Sequence, residues 1–331
     1  MTDTEHNISQ RFVEGGFGGS DLTCHSHAPP HPPGRLPRAL PAPSNESAID
    51  LIRNVNRDPD TLLRALRERL RALESVLVCY SGGIDSALVL AVAHAELGDR
   101  AVGMTTVSPS LPASERVDAA RIASAVGARH LFVESHEIER PDYVKNAPDR
   151  CFHCKSELYA IAQDKARELG LAVIVNGTNQ DDLGDYRPGL EAAKNAAVVS
   201  PLVELGFGKA DVRAVARLIG LDVWDKPAAA CLSSRIPYGT SVTHERLAQI
   251  DGFEAELRAF GLRQVRVRFH DAIARIELGE AEMERAFSAE LRGKMVEAGK
   301  RHGFRYVTLD LAGYRTGSHN EVLTGKSLRI V

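Results

Sequence analysis

The amino-acid sequence predicts an α/β fold with a mostly parallel sheet, followed by a smaller α+β domain, and three observations carry that expectation. Between residues 47 and 226, short apolar runs of strand length alternate with segments whose apolar residues recur at helical spacing. Strands alternating with helices pack side by side in parallel, covered on both faces. The first apolar run, Ser75-Val76-Leu77-Val78-Cys79-Tyr80, ends in a Gly-Gly turn that opens a helix. Beyond the boundary at 226/227 the alternation stops, and residues 227–331 run helix, two adjacent strands, helices, strand, the order of an α+β unit in its own right.

Residues 1–46 hold Gly15-Gly16-Phe17-Gly18-Gly19 and Pro29-Pro30-His31-Pro32-Pro33 without an apolar period able to build a core, and are expected to form a disordered tail. His25, His27 and His31 near Cys24 lack framing structure there, which favours solvated side chains over a metal site. Apolar residues recur at helical spacing over 51–73, ahead of the strand at 75–80. A helix rich in Ala, Leu and Val follows over 86–97, then a strand at 101–107, a helix at 113–126 and a strand at 130–133. A helix at 152–169, a strand at 172–176 and a helix at 209–219 complete the first part. In the second part the pattern gives a helix at 243–260, strands at 264–269 and 272–278, helices within 281–302 and a strand at 306–311.

A chain of 331 residues that is 44% hydrophobic is long enough for one sizeable core and a second, smaller one. Its formal net charge of -3 offers no basic field, so no nucleic-acid partner is expected. No stretch reaches the roughly 20 apolar residues of a membrane span, and the N-terminus lacks the apolar centre of a secretory signal. A cytoplasmic protein without membrane association is expected. Five cysteines in a reducing compartment point to ligands or reactive thiols rather than a disulfide framework.

Ser81-Gly82-Gly83-Ile84-Asp85-Ser86 joins a buried strand to a helix, so its backbone N–H groups and the positive end of the helix dipole converge on one point. An anion belongs there. Gly82 and Gly83 let the backbone approach phosphate oxygens, and the Ser81 and Ser86 hydroxyls can donate to them. Asp85 would repel a bare phosphate but suits the Mg2+ that accompanies ATP. The loop lacks the Gly-Lys-Ser/Thr ending of a Walker A motif, and a plain Gly-Gly turn with a polar cap is the bland alternative.

Arg150-Cys151-Phe152-His153-Cys154-Lys155 places two thiols at i and i+3 on one face of a helix start. The third thiol, Cys231, sits in Lys226-Pro227-Ala228-Ala229-Ala230-Cys231-Leu232-Ser233-Ser234-Arg235. Three cysteines without a fourth suit a [4Fe-4S] cluster with one open iron, and His153 as a fourth ligand would suit zinc. Cys79, on an apolar strand, reads as inert core. Arg266 and Arg268 alternate on one strand and face the same way; with Arg235 they could hold phosphate and carboxylates, or pair with Glu254 and Glu277.

The Ser81 loop resembles the signature of the PP-loop ATP pyrophosphatases, and Asn176-Gly177-Thr178-Asn179-Gln180-Asp181-Asp182 resembles the part of that superfamily lining the nucleotide cleft. Three further strings are 185–190, Ser233-Ser234-Arg235-Ile236-Pro237-Tyr238-Gly239-Thr240 and 266–277. With 309–317, they make the chain from about 50 to 325 similar to the LarE family of ATP-dependent sulfur transferases. The resemblance implies a PP-loop nucleotide-binding domain that splits ATP between its α- and β-phosphates. It implies adenylation of a carboxylate of pyridinium-3,5-biscarboxylic acid mononucleotide, and conversion to a thiocarboxylate on the way to the nickel-pincer nucleotide of lactate racemase. On it, Ser81, Gly82, Gly83, Asp85, Ser86 and Gly177 bind nucleotide; Ser234, Arg235, Glu254, Arg266, Arg268 and Glu277 bind substrate; Cys231, Asp85 and Arg235 act in catalysis.

In family members that sacrifice their own sulfur, the reacting cysteine aligns with Ala230, and the Cys151/Cys154 pair is missing. Those departures favour a subtype in which Cys151, Cys154 and Cys231 hold a [4Fe-4S] cluster. A small-molecule nucleotide substrate, an unidentified sulfur donor and a homo-oligomer are expected. A tRNA thiolation enzyme would need a basic surface and an RNA-binding module that the sequence does not show. A regulatory protein binding ATP and a cluster without turnover is the remaining alternative.

Overall fold

Four parallel strands form the central sheet, and its inner strands are largely apolar because helices cover both faces. The structure, a computed structural model, describes residues 57–184, 188–227, 229–315 and 317–323, the side chains of 321–323 excepted. The expected tail at 1–46, the start of the expected first helix, and Asp185, Tyr186, Arg187, Ala228 and Thr316 lie outside the described residues.

Helix α1 (Pro59–Arg71) starts where Asp58 accepts a hydrogen bond from the Thr61 N–H and Pro59 occupies a position needing no donor. Leu62, Leu63, Leu66 and Leu70 form its buried stripe. Strand β1 (Val76–Cys79) leads into α2 (Ile84–Leu97), a helix buried along most of its circumference. Then come β2 (Ala101–Val107), α3 (Ala113–Val126), β3 (Arg129–Glu134), the short α4 (Pro141–Val144), α5 (Arg150–Leu169) and β4 (Val173–Val175). Helices α6 (Pro188–Asn195), α7 (Pro201–Glu204) and α8 (Lys209–Leu218) follow. The strand order is β3-β2-β1-β4, every pair parallel, with Val76 opposite both Ala101 and Val173. Side chains of α1, α2 and α8 make the core on one face of the sheet; Ala162 and Ala166 of α5 meet Leu77, Val102 and Met104 on the other.

The second sheet is smaller. Strands β5 (Val265–His270) and β6 (Ile273–Leu278) form an antiparallel hairpin, and β7 (Tyr306–Leu309) runs parallel to β6. Helix α9 (His244–Ala259) buries Leu247, Ile250, Phe253 and Leu257 in its core. Tyr143 and Ile138 from the first part reach into the same core.

The α/β class, the mostly parallel sheet and the α+β second part agree with expectation. The helices expected within 281–302 are α10 (Glu280–Ala286) and α11 (Ala289–Arg301), the second capped by Ser288, which accepts from the Leu291 N–H at 3.3 Å. Strand β7 is shorter than expected, since Asp310 turns the chain towards Gly313, whose φ is +63°.

Two glycines of α11 make a paired test. A Cβ on Gly299 would stand 2.3 Å from Val307 Cγ2 and 3.1 Å from Phe253 Cζ, whereas one on Gly293 meets nothing within 4 Å. Gly293→Ala is expected to stabilise by about 0.5–1 kcal/mol through helix propensity. Gly299→Ala should destabilise by about 1–3 kcal/mol through overpacking, despite the same propensity gain. Urea midpoints of the two variants check the opposite signs.

Candidate active site

Tyr80 ends β1 and the chain turns at Gly82, whose φ of +74° only glycine adopts without strain. A Cβ there would also crowd Ala119 of α3 at 3.1 Å. The turn is tied to itself: the Ser81 N–H donates to Ser86 Oγ at 3.2 Å, the Ser86 hydroxyl donates to the Gly83 carbonyl at 3.1 Å, and the two serine hydroxyls lie 3.2 Å apart. Gly83 precedes α2 in extended conformation, so the first-turn N–H groups of α2, which have no intrahelical acceptor, point out of the helix end. Unpaired N–H donors gathered at a helix start are of the kind an anion takes.

The segment after β4 closes on that loop. Asn179 Nδ2 donates to Asp85 Oδ1 at 2.8 Å, and Lys209 Nζ lies 3.8 Å from Asp85 Oδ2 and 3.4 Å from the buried Asp182 Oδ1. Burial raises the pKa of Asp85, with Asp182 adding to the shift, while Lys209 and Asn179 oppose it. The Asp85 and Asp182 carboxylates are hard oxygen donors of the type a divalent cation takes, and the Lys209 ammonium lies near both. Gly177 is the point of closest approach: a Cβ there would lie 2.5 Å from Ser86 N and 2.7 Å from Ser86 Cα. Lys226 fastens the other side, its Nζ 3.4 Å from the Gly82 carbonyl and 2.8 Å from both Glu115 Oε2 and Asp118 Oδ2.

Lys226 also begins the segment that carries Cys231. Ala229 and Ala230 are exposed, and the chain re-enters the core at Leu232, whose N–H donates to the Ser110 carbonyl at 2.9 Å. Cys151 and Cys154 lie on the first turns of α5. The charges of Cys231 and Cys151 both act on Cys154, and both act on Arg150, so the three thiols share one neighbourhood. Burial pushes the Cys154 thiol well up, and the nearby Glu137 carboxylate adds to it. Glu137 is itself buried and accepts from Ser108, Ser110 and Ser135 at 2.5, 2.9 and 2.5 Å. Three soft thiols with a cation beside them fit an iron–sulfur cluster in donor type. Among the described residues no group of three or more His, Cys, Asp or Glu stands in metal-binding arrangement. His153, the alternative fourth ligand for zinc, pairs instead with Asp149 Oδ2 at 3.3 Å. Burial pushes Cys79 up to about 12, in keeping with an inert thiol.

Arg150 was not among the sequence-derived candidates. Its buried guanidinium donates to Asn146 Oδ1 at 2.5 Å and to the Ser233 carbonyl at 2.8 Å, and lies 3.9 Å from Cys151 Sγ. Asn146, at φ +55°, donates through Nδ2 to the Pro237 and Thr240 carbonyls at 2.8 and 2.9 Å. Together they join the start of α5 to the Cys231 turn.

The expected substrate residues also converge. Arg235, 2% exposed, forms a forked pair with Glu254, Nε to Oε1 at 2.8 Å and Nη2 to Oε2 at 3.2 Å. Its Nη1 donates to the Ala230 and Cys231 carbonyls at 2.7 and 3.0 Å. Those bonds make Arg235 a strut for the Cys231 turn, with its donors turned inward. Burial pushes Glu254 up, yet Arg235 and then Arg258 outweigh it and the net shift is down. Arg268 donates to Glu277 Oε2 at 2.7 Å and to the Ser234 carbonyl at 2.8 Å. Arg266 lies over the Tyr314 ring at 5.3 Å, and burial, followed by the charge of Arg235, lowers its pKa to about 10. Arg275 pairs with Glu277 and Asp310. Cations outnumber carboxylates in this pocket, which leaves it receptive to an anion.

Residues 59–161 match the asparagine synthase family. The chain is 44% identical over 265 residues to the uncharacterised protein slr1717 of Synechocystis, covering 80% of this chain and 99% of that one. It is 40% identical over 272 residues to pyridinium-3,5-bisthiocarboxylic acid mononucleotide synthase of Lactiplantibacillus plantarum, covering 81% and 95%. The chain belongs to the LarE family. Similarity to the tRNA-specific 2-thiouridylase MnmA of Rickettsia typhi is lower, 24% over 55% of this chain, so LarE rather than tRNA thiolation is the relationship the comparisons favour. Among the described residues no helix is long and apolar enough to cross a membrane. Within this LarE-family site, Lys209 and Arg150 escaped sequence reading because their partners are remote: Arg150 and Ser233 stand 83 positions apart.

Gly177→Ala is expected to push the backbone of Ser86 and Asp85 away, because the three atoms nearest the new Cβ are all backbone. A displacement of this kind should lower substrate-dependent pyrophosphate release by about 100-fold. Circular dichroism should show the helices retained.

Proposed function

We propose that this chain adenylates a carboxylate of pyridinium-3,5-biscarboxylic acid mononucleotide with ATP and replaces the AMP by sulfur, forming a thiocarboxylate. The observation that carries the reading is the segment 226–235: one end touches the phosphate loop through Lys226, the other enters the arginine pocket through Arg235, and Cys231 lies between. Activation, substrate anchoring and sulfur delivery therefore share one short stretch of chain.

In the first half-reaction a substrate carboxylate oxygen attacks the α-phosphorus of ATP; the bond to the bridging oxygen breaks and pyrophosphate leaves. The N–H groups around Ser81, Gly82 and Gly83 and the Ser81 and Ser86 hydroxyls stabilise that leaving group. Asp85 and Asp182 would hold a Mg2+ ion, which offsets phosphate charge when bound. In the second, a sulfur nucleophile adds to the acyl carbon, the acyl–oxygen bond breaks, and AMP departs with the electron pair. We assign the first to residues 47–226 and the anchoring and sulfur delivery to 227–331, with Cys151 and Cys154 of the first part joining Cys231 in the delivery. Arg266 and Arg268 hold the substrate's anionic groups. Arg235, Glu254, Glu277 and Ser234 hold those arginines and the Cys231 turn in place. Cys151, Cys154 and Cys231 would hold a [4Fe-4S] cluster, which supplies a transferable sulfide when bound. A cytoplasmic setting keeps these thiols reduced.

Asp85→Ala removes the carboxylate nearest the phosphate loop and the acceptor of Asn179, and is expected to lower pyrophosphate release by about 100-fold while substrate still binds. Wild-type release from the variant would exclude the loop assignment.

Replacing any one of Cys151, Cys154 and Cys231 by alanine should end sulfur transfer and abolish visible absorbance after anaerobic reconstitution, with adenylation intact. The two half-reactions use different groups. With sulfide supplied, the wild type should turn over repeatedly at unchanged polypeptide mass. Intact-protein mass spectrometry showing loss of one hydrogen sulfide at Cys231 would instead establish cysteine sacrifice.

A further inference from the structure

His319 belongs to none of the motifs read from the sequence, and the structure sets it in the arginine pocket. It lies in the 3-10 turn Ser318–Leu323. Its ring tilts onto Tyr238 with centroids 4.3 Å apart, and the Tyr238 hydroxyl donates to Asn320 Oδ1 at 3.1 Å, so the turn is seated on that tyrosine. Beside it, Arg268 Nη2 donates to Ser318 Oγ at 3.1 Å. The Nε2 atom of His319 is buried and, among the described residues, has no hydrogen-bond partner. Buried polar nitrogens are nearly always paired, and one left unpaired beside a binding pocket is accounted for when a ligand supplies the partner.

The surroundings say what kind of ligand. The charges of Arg150 from α5, Arg268 from β5 and Arg235 from the turn at Leu232–Arg235 act on the ring, and among the described residues no carboxylate does. Burial, then Arg150, Arg268 and Arg235 in that order, lowers its pKa to about 4, so the imidazole is neutral before the pocket fills.

We propose that His319 is a substrate-binding residue whose Nε2 pairs with an oxyanion, a phosphate monoester or a carboxylate, seated among Arg150, Arg235 and Arg268. The inference rests on the function proposed above and adds to it a proton-dependent reader of the substrate. An entering anion cancels the repulsion from the arginines, the imidazole takes a proton from solvent, and the new N–H donates a charge-assisted bond to an anion oxygen. The complex then holds more protons than the free protein between the pKa values of the two states, so binding tightens as pH falls through that window, by up to about tenfold per pH unit.

The test is calorimetric titration of wild type and His319→Gln with pyridinium-3,5-biscarboxylic acid mononucleotide, in buffers of different ionisation heat. Comparing the two proteins cancels the ligand's own titration. Relative to the variant, wild-type affinity should fall about tenfold between about pH 6 and pH 8, with proton uptake on binding in the wild type alone. The dephosphorylated riboside separates the two oxyanions: proton uptake that persists assigns the carboxylate, and uptake that disappears assigns the phosphate. The imidazole C2–H resonance, assigned as the one missing in the variant, should titrate at least one pH unit higher with ligand than without, a readout independent of the variant's stability. Binding by both proteins with the same pH profile, or a His319 resonance unmoved by ligand, overturns the proposal and leaves the parent reading standing. Failure of the wild type to bind the mononucleotide overturns both.

Discussion

The forked ion pair between Arg235 and Glu254 is the constraint on which the rest of the site depends. Glu254 is fully buried and Arg235 nearly so, and burying two charges is unfavourable unless each finds a close partner. They do, and the surplus donors of the guanidinium reach the Ala230 and Cys231 carbonyls. The same carboxylate also accepts from Arg258 at 2.6 Å and from the Val267 N–H at 3.0 Å, between the two arginines of β5. One carboxylate thus sets the Cys231 backbone and the strand that carries Arg266 and Arg268. Removing one partner of such a pair strands a buried charge, at about 3–5 kcal/mol, so its cost would fall on the fold before any effect on chemistry could be read.

The far end of the segment is held differently. Lys226 is partly exposed and shared between Glu115, Asp118 and the Gly82 carbonyl. Its tie to the phosphate loop is the longest of those contacts at 3.4 Å. A buried anchor at Arg235 and a more accessible one at Lys226 thus flank the segment, and the Arg235 anchor extends to the Ala230 carbonyl. Ala229 and Ala230 between them are exposed rather than packed.

Most elements were legible in the sequence because their signals are local. Periods of 2 and 3.6, the Gly-Gly turn after β1 and the thiols at i and i+3 are written within a few residues. Strand β2 and helix α3 have the expected bounds, and α9 differs by one residue at each end. The break between α10 and α11 falls at Ser288, a local capping signal followed by an acidic residue in the first turn. What was not legible lies in pairings across the chain. Asn179 and Asp85 stand 94 positions apart, Lys226 and Gly82 144. Arg235 was legible as charged and near Cys231, but whether it faces substrate or strut depends on Glu254, which no local pattern specifies. His319 is the extreme case: only the folded arrangement shows a polar nitrogen buried without a partner.

The charge distribution also bears on the order of events. The phosphate loop offers backbone dipoles and two hydroxyls, with Asp85 and Asp182 beside it, so it tolerates a triphosphate most readily when that charge arrives already partly neutralised. The arginine pocket is the reverse, with cations in excess of Glu254, Glu277 and Asp310. An anionic group is therefore favoured beside the arginines over the phosphate loop, and the 226–235 segment joins the two through Lys226 and Arg235. Adenylation then converts a repelled carboxylate into an acyl centre that a thiolate or sulfide can approach, because the charge on that carbon's oxygen has been masked. Cys231 lies within this segment, and its charge and that of Cys151 both act on Cys154, so the thiols gather around the stretch that joins the two anion sites.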